Sequence, residues 1–378
     1  MHHFFVSAGE ASGDMHAATV VAELKQRYPE YEITGIAGEL MQLQGCVPLH
    51  HMHELNVMGI SDVIRSLSKI HRIERSVLDW CARQKPEVAI LVDFSSFHMR
   101  LGRKLRRLGI PVVHFIAPKL WAWGAWRVSK LIKSQDRLAC ILPFEVEWFK
   151  QHGISHACYV GNPSVESCVK GWSRAELMQR LGLDEHDRLL ALLPGSRPQE
   201  LKAHVPILAE ALKQLQHLMP ETACVVPVAP GVDMDILAPL LRLGAKAIHR
   251  TDEGYALRAD AAVAVSGTAT LELGLWGTPT VLIYKGSPLM VFLGRRLVKL
   301  RCIGLANIIL GDRPMMPELI QEACTVDHIV GELAPLLRNE ASAKKQRREC
   351  AELSTLLGDH KPAKRVVDLV DELINQYS

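Results

Sequence analysis

Short apolar runs alternate with amphipathic stretches along almost the whole chain. Phe4 to Ala8, Val88 to Val92, Val112 to Ile116, Leu138 to Leu142 and Cys158 to Val160 read as strands covered on both faces, since they are apolar without a polar residue at every second position. After a loosely polar stretch the series resumes with Leu189 to Leu193, Cys224 to Val228, Ala247 to Ile248, Ala261 to Val265 and Thr280 to Tyr284. Helical patterns lie between them, among them Asp62 to Trp80 and about Glu200 to Leu218. Strand and helix in turn predict an α/β chain of two Rossmann-like, doubly wound domains in tandem, facing a cleft. The boundary is expected between Pro163 and Asp187, which divides the chain into residues 1–165, 166–345 and a charged helical tail, 346–378. That tail has room to pack back on the first domain or on a partner subunit, so a homodimer is one expectation. Leu305 to Pro314 and Pro317 to Gln321 read as a loop and a helix start.

Composition narrows the function classes. With 44 Lys and Arg against 41 Asp and Glu, a net charge of +3, the chain is too nearly neutral for nucleic acid to be the expected partner. Nine cysteines are scattered without a CxxC pair, as expected of reduced packing residues in a cytosolic protein. The first ten residues enter a strand directly rather than a signal peptide, and no apolar run approaches a membrane span. The expectation is a soluble or peripheral protein.

Candidate chemistry lies where apolar runs end. Ser266 to Glu272 (SGTATLE) follows a strand and opens a helix, so the hydroxyls of Ser266 and Thr268 and the N–H groups around Gly267 meet at a helix N-terminus. That end suits a phosphate as well as it suits ordinary capping. Arg197, closing the Pro194-Gly195-Ser196 turn, is a second such loop, and a guanidinium beside a hydroxyl-lined helix end fits a diphosphate. In the first half, Glu10 in the turn Gly9 to Asp14 suits sugar hydroxyls or solvent, and Ser12 or Asp14 suits a helix cap. The spacing of Gly9 and Gly13 does not make a GxGxxG dinucleotide loop. Asp93 ends a strand, where a general base or a cap belongs, with His98 a turn further on. His50, His51 and His53 invite a metal, but no second cluster has ligand spacing, so no metal is expected. Arg65, Lys69, Arg72 and Arg75 form the basic face of the helix at Asp62 to Trp80, which fits either a solvated face or anionic lipid. Trp121, Trp123 and Trp126 crowd a loop with Gly124 and suit a core, a sugar or an acyl chain.

Taken in order, these pieces resemble one family, the lipid-A-disaccharide synthases, glycosyltransferases of GT-B architecture. The matching residues are Ser7 to Asp14, Glu54 to Val63, the strand ending in Asp93, Trp121 to Trp123 with Arg127, and Leu142 to Glu145. They continue with Leu192 to Arg197 and Glu200, Ser266 to Glu272, Tyr284 and Lys285, and Leu305 to Gly311 followed by Pro317 to Gln321. The resemblance implies a UDP-2,3-diacylglucosamine donor and a 2,3-diacylglucosamine 1-phosphate acceptor. The products are UDP and the β-1,6-linked lipid A disaccharide 1-phosphate, formed at the cytoplasmic face of the bacterial inner membrane by a peripheral enzyme. It further implies catalytic roles for Asp93 and Glu10, and donor binding by Arg197, Ser266, Gly267, Thr268, Glu272 and Asn307, with no cofactor. The chain departs from the family where Ser95, Ser96 and His98 replace a Pro, a second acid and an Asn, where Asn162 replaces a common His, and where Lys119 and Leu120 replace a Ser-Val pair. A UDP-sugar epimerase of the same architecture and a non-catalytic nucleotide-sugar binder are the alternatives.

Overall fold

The computed structural model describes residues 2–55, 63–287 and 300–377, with the side chains of 63–67 and 377 left aside. The segment Asn56 to Asp62 of one motif lies outside the described residues. The chain divides into two compact units, one running to Pro163 and resuming at Asp359, the other Ser164–Gly358.

In the first unit seven strands form one parallel sheet: β1 His3–Ala8, β2 Glu32–Ala37, β3 Val47–His51, β4 Val88–Val92, β5 Val112–Phe115, β6 Arg137–Cys140 and β7 Ala157–Tyr159. Their order is β3-β2-β1-β4-β5-β6-β7, which places the topological switch point between β1 and β4. Alternate residues of β1 serve opposite faces. Phe4, Val6 and Ala8 pack with the helices Ala11–Arg27 and Pro362–Tyr377, whereas Phe5 packs with the helices Val63–Gln84 and Ser95–Arg107. Both faces are therefore apolar, and the strands read as continuous apolar runs for that reason. β2 and β3 escape that signature, because Thr34, Gly35, Pro48 and two histidines interrupt their apolar residues. β5 stops at Phe115 rather than Ile116, since Ile116 takes a left-handed backbone (φ +67°).

The second unit repeats the plan with β8 Arg188–Leu193, β9 Thr222–Val228, β10 Lys246–His249, β11 Ala261–Val265, β12 Thr280–Tyr284 and β13 Glu318–Ile320. The order β10-β9-β8-β11-β12-β13 is again all parallel, with the switch point between β8 and β11. β13 corrects the helix start expected at Pro317 to Gln321: three residues pair with the edge of β12, a long-range contact that local pattern does not carry.

The tail also divides differently from the expected break at 345/346. Helix Ala341–Leu357 belongs to the second unit: Ala343 joins its core and Gln346 accepts the N–H of Thr280 at 2.8 Å. Only helix Pro362–Tyr377 packs on the first unit, burying Val366, Val367, Val370 and Leu373. Arg27 holds it through Asp368 and Asp371 at 2.7 and 2.6 Å. The apolar face of that helix is thus used within its own chain. All nine cysteines are free thiols, and no helix of the described residues is long and apolar enough to cross a membrane.

Candidate active site

In each unit two of the turns singled out from the sequence stand at the carboxyl ends of the two strands flanking the switch point, where open parallel sheets bind ligands. In the first unit these are the turn after β1, with Glu10, and the turn after β4, with Asp93. The backbone is strained here. Asp93 (φ +51°), Phe94 (φ +43°) and Ile116 (φ +67°) are all left-handed without being glycine, an arrangement that costs on the order of 1–3 kcal/mol each and clusters at functional sites. The Phe94 ring lies over Gly9, where a Cβ would stand 2.2 Å from its Cγ. That close approach is the physical reason for glycine in the first turn.

His98 maintains the strained geometry and is not available as a base. It is completely buried, its Nδ1 donates to the Asp93 carbonyl at 2.7 Å, and its Nε2 accepts from the Ser7 hydroxyl at 2.9 Å. With both ring nitrogens committed and burial holding its pKa down to about 4, the imidazole is neutral and has no lone pair to offer a substrate. Asp93 is only half-buried. Its pKa is raised, by burial first and then by the Glu10 carboxylate, with Lys119 pulling the other way. A carboxylate whose proton affinity is raised is a better base at neutral pH.

Asp14, expected as a possible cap for its own helix, instead accepts from the N–H groups of Gly38, Leu40 and Met41 at 2.9, 2.9 and 3.2 Å and so anchors the turn after β2. Ser12 donates to Glu10 at 3.2 Å. Glu145, given no role from the sequence, is buried with its pKa pushed up to about 7 by burial, and it accepts the Trp121 indole N–H at 2.9 Å. It fixes one tryptophan of the loop, while Trp123 and Trp126 meet edge to face and stand 51 % and 68 % exposed.

Acid should loosen this unit. His98 and His114 are both fully buried, with pKa values lowered by burial to about 4 and about 3 from the usual 6.5. Between pH 6.5 and 3 these two side chains therefore bind more protons in the unfolded chain than in the folded one, so their contribution to stability falls as pH drops through that window, with Glu145 opposing it only between about pH 7 and its ordinary 4.5. Thermal unfolding followed from pH 7 to 4 should show the decline, and His114→Phe should flatten it. An unchanged slope in that variant would mean that other groups carry it.

In the second unit the switch point brings together the turn after β8, with Arg197, and the turn after β11, with Ser266, Gly267 and Thr268. Arg197 extends into solvent, its side chain 83 % exposed, with one contact to Glu200 at 3.3 Å. The Glu200 carboxylate accepts the N–H groups of Ser196 and Arg197 at 3.1 and 3.2 Å, so the start of helix Pro198–Leu218 is already capped. By contrast, no side chain caps helix Thr268–Leu275, and Gly267 and Thr268 are exposed. The N-terminus left to an anion is thus the one after β11. Ser266 donates to the carbonyl of Ile303 at 3.1 Å, which ties this turn to the loop before helix Leu305–Ile309.

Asn307, expected at the donor site, takes its hydrogen-bond partners from its own unit. It is completely buried, its amide donates to Met316 O and Glu318 at 2.9 and 2.8 Å, and its carbonyl accepts from Met316 N at 2.9 Å. Glu318 in turn accepts from the N–H groups of Ile303 and Gly304 at 2.9 Å each. The two motifs around Asn307 and Glu318 are one network supporting the Ser266 turn from behind. Glu272 is not free either: it pairs with Arg250 at 2.6 Å, a residue that the sequence did not single out. Burial raises its pKa and Arg250 opposes the rise. His204 locks the other side, accepting the Lys285 N–H at 2.8 Å while its Nδ1 donates to Glu200 O at 2.7 Å.

Comparison with known proteins decides which family carries this geometry. The sequence model of lipid-A-disaccharide synthetase matches residues 4–366. The chain belongs to the lipid-A-disaccharide synthase family. It is accordingly an enzyme, a glycosyltransferase of lipid A biosynthesis. The family's member from Myxococcus xanthus (strain DK1622) is 37% identical over 373 residues, covering 98% of this chain and 97% of its own. Among solved structures, UDP-GlcNAc 2-epimerase from Neisseria meningitidis bound to UDP-GlcNAc is similar with a TM-score of 0.64 at 11% identity, over 98% of this chain and 100% of that one. The calicheamicin glycosyltransferase CalG4 is similar with a TM-score of 0.62 at 15% identity, over 100% and 99%. An epimerase and a glycosyltransferase share the fold, so the fold by itself does not choose between these chemistries. The family does.

Proposed function

We propose that the protein transfers 2,3-diacylglucosamine from its UDP derivative to the 6-hydroxyl of 2,3-diacylglucosamine 1-phosphate, with inversion, giving the β-1,6-linked disaccharide 1-phosphate and UDP. The observation that carries this reading is the family match over residues 4–366, in a chain whose two switch points present an acid pair and a cation with a free helix end. The acceptor oxygen attacks the sugar's anomeric carbon as the bond from that carbon to the diphosphate breaks, and Asp93 takes the hydroxyl proton. Glu10 keeps the proton affinity of Asp93 raised and faces sugar hydroxyls. Arg197 and the helix end at Gly267 and Thr268 stabilise the charge growing on the departing diphosphate. Glu272, oriented by Arg250, receives the ribose hydroxyls. Incubation with UDP-diacylglucosamine, with and without the phosphorylated acceptor, tests the reading. UDP release that requires acceptor is expected. Release or isomerisation of the donor alone would select an epimerase, and neither would leave a binder.

We place the reaction on the cytoplasmic face of the bacterial inner membrane, at an anionic surface. Helix Val63–Gln84 buries Ile73 and Val77 while Lys69, Arg72 and Arg75 stay exposed, and the Arg65 side chain lies outside the described residues. The protein is expected to sediment with anionic vesicles at low salt and to be released as salt rises, at roughly 1 kcal/mol per basic residue. Sedimentation unaffected by neutralising these four would remove the assignment.

A further inference from the structure

Three residues to which the reaction assigns no role, Glu39, His51 and His53, bring one ligand atom each within 4.8 Å of one another. We propose that they form a binding site for a divalent transition metal of the Zn²⁺ class. The geometry is that of ligands around an ion. Glu39 Oε1 lies 3.4 Å from His51 Nε2 and 3.8 Å from His53 Nε2, and the two imidazoles stand 4.8 Å apart. Both carboxylate contacts are longer than a good N–H···O hydrogen bond, about 2.7–3.2 Å. The shorter fits the edge of a tetrahedron whose centre lies about 2.0–2.2 Å from each nitrogen and oxygen, about 3.3–3.6 Å, and the longer exceeds that edge by a few tenths of an ångström, which a small side-chain rotation closes. Two histidines, one carboxylate and an open fourth position are a recurrent zinc donor set.

The backbone under each ligand is held independently of any ion. Glu39 opens helix Glu39–Leu43, whose start is pinned by the buried Asp14. His51 ends β3, and its N–H is fixed by the Glu54 carboxylate at 2.9 Å. His53 sits in the single turn Met52–Leu55, anchored by the buried Met52 and Leu55. An ion would therefore clip the edge strand β3 to the turn after β2. Binding at Nε2 leaves the His51 proton on Nδ1 and gives up the contact that nitrogen accepts from the His53 N–H, a long one at 3.3 Å. The sequence offered the histidines but not their partner, because Glu39 stands twelve residues earlier and only the pairing of β2 with β3 brings it near.

The test is calorimetric titration of chelator-treated full-length protein with Zn²⁺ alone, followed by the visible spectrum of the Co²⁺ form. One equivalent is expected to bind, with Co²⁺ d–d bands and no thiolate charge-transfer band. The equivalent should be lost in the double variant His51→Ala, His53→Ala and, separately, in Glu39→Gln, whose exposed side chain is not needed for folding. No binding by the unaltered protein would overturn the site. So would a full equivalent retained in either variant, or a thiolate band, which would assign the ion to cysteine.

Discussion

Replacing Asp93 by Asn is expected to lower turnover by roughly 10² to 10⁴, the usual worth of a positioned general base, while leaving UDP affinity and the fold intact. The argument combines position with elimination. Asp93 stands at the carboxyl end of β4, beside the switch point, on a backbone held left-handed by the bond from His98 to its own carbonyl. Burial and Glu10 raise its proton affinity. His98, the competitor with the more suitable ordinary pKa, is buried and doubly bonded, so it positions Asp93 and does not touch substrate. His98→Gln should consequently lower turnover less than Asp93→Asn and destabilise the first unit. Steady-state kinetics with calorimetric UDP titration separate the two effects. Near-normal turnover in Asp93→Asn would take the base from this residue.

Arg197→Ala should weaken UDP binding by roughly 10- to 100-fold. Hydrogen bonds to a charged group contribute about 1.5–3 kcal/mol, and every 1.4 kcal/mol is about tenfold in affinity. The side chain is exposed and has one long contact, to Glu200, so turning it to a diphosphate sacrifices little and removing it should leave the fold unchanged. Glu272→Ala should also weaken UDP binding, and Arg250→Ala should do the same if the carboxylate works as an oriented pair. Calorimetry showing unchanged UDP affinity in both Arg197→Ala and Glu272→Ala would remove the donor site from this switch point.

Much of the fold was legible because parallel strands covered on both faces leave continuous apolar runs, and because loops after such strands stand out by their glycines and hydroxyls. The strands missed were those without that signature. β2 and β3 carry Thr34, Pro48, His50 and His51, and β13 is three residues long. The candidate site was legible as places rather than as roles. Ser266, Arg197, Glu10 and Asp93 stand at the ends of strands that flank switch points, a position readable one loop at a time. Which motif residues are already engaged was not readable, since the partners of Asp14, Glu272 and Asn307 come from other elements.

The sequence by itself determined the two-unit parallel architecture, the location of the crevice loops and, through motif order, the family. Each of these rests on local pattern: burial of a run, the turn that ends it, and the order in which turns follow one another. Only the tertiary structure decided which polar groups retain hydrogen-bonding capacity for a ligand. It assigned Asn307 and Glu318 to support, Glu200 to a cap and His98 to the backbone of Asp93, and it left Arg197 and the helix end at Gly267 and Thr268 open. It also brought Glu39 to His51 and His53. The physical reason is that burial of a strand is encoded within five residues, whereas satisfaction of a donor or acceptor depends on whatever the rest of the chain sets beside it.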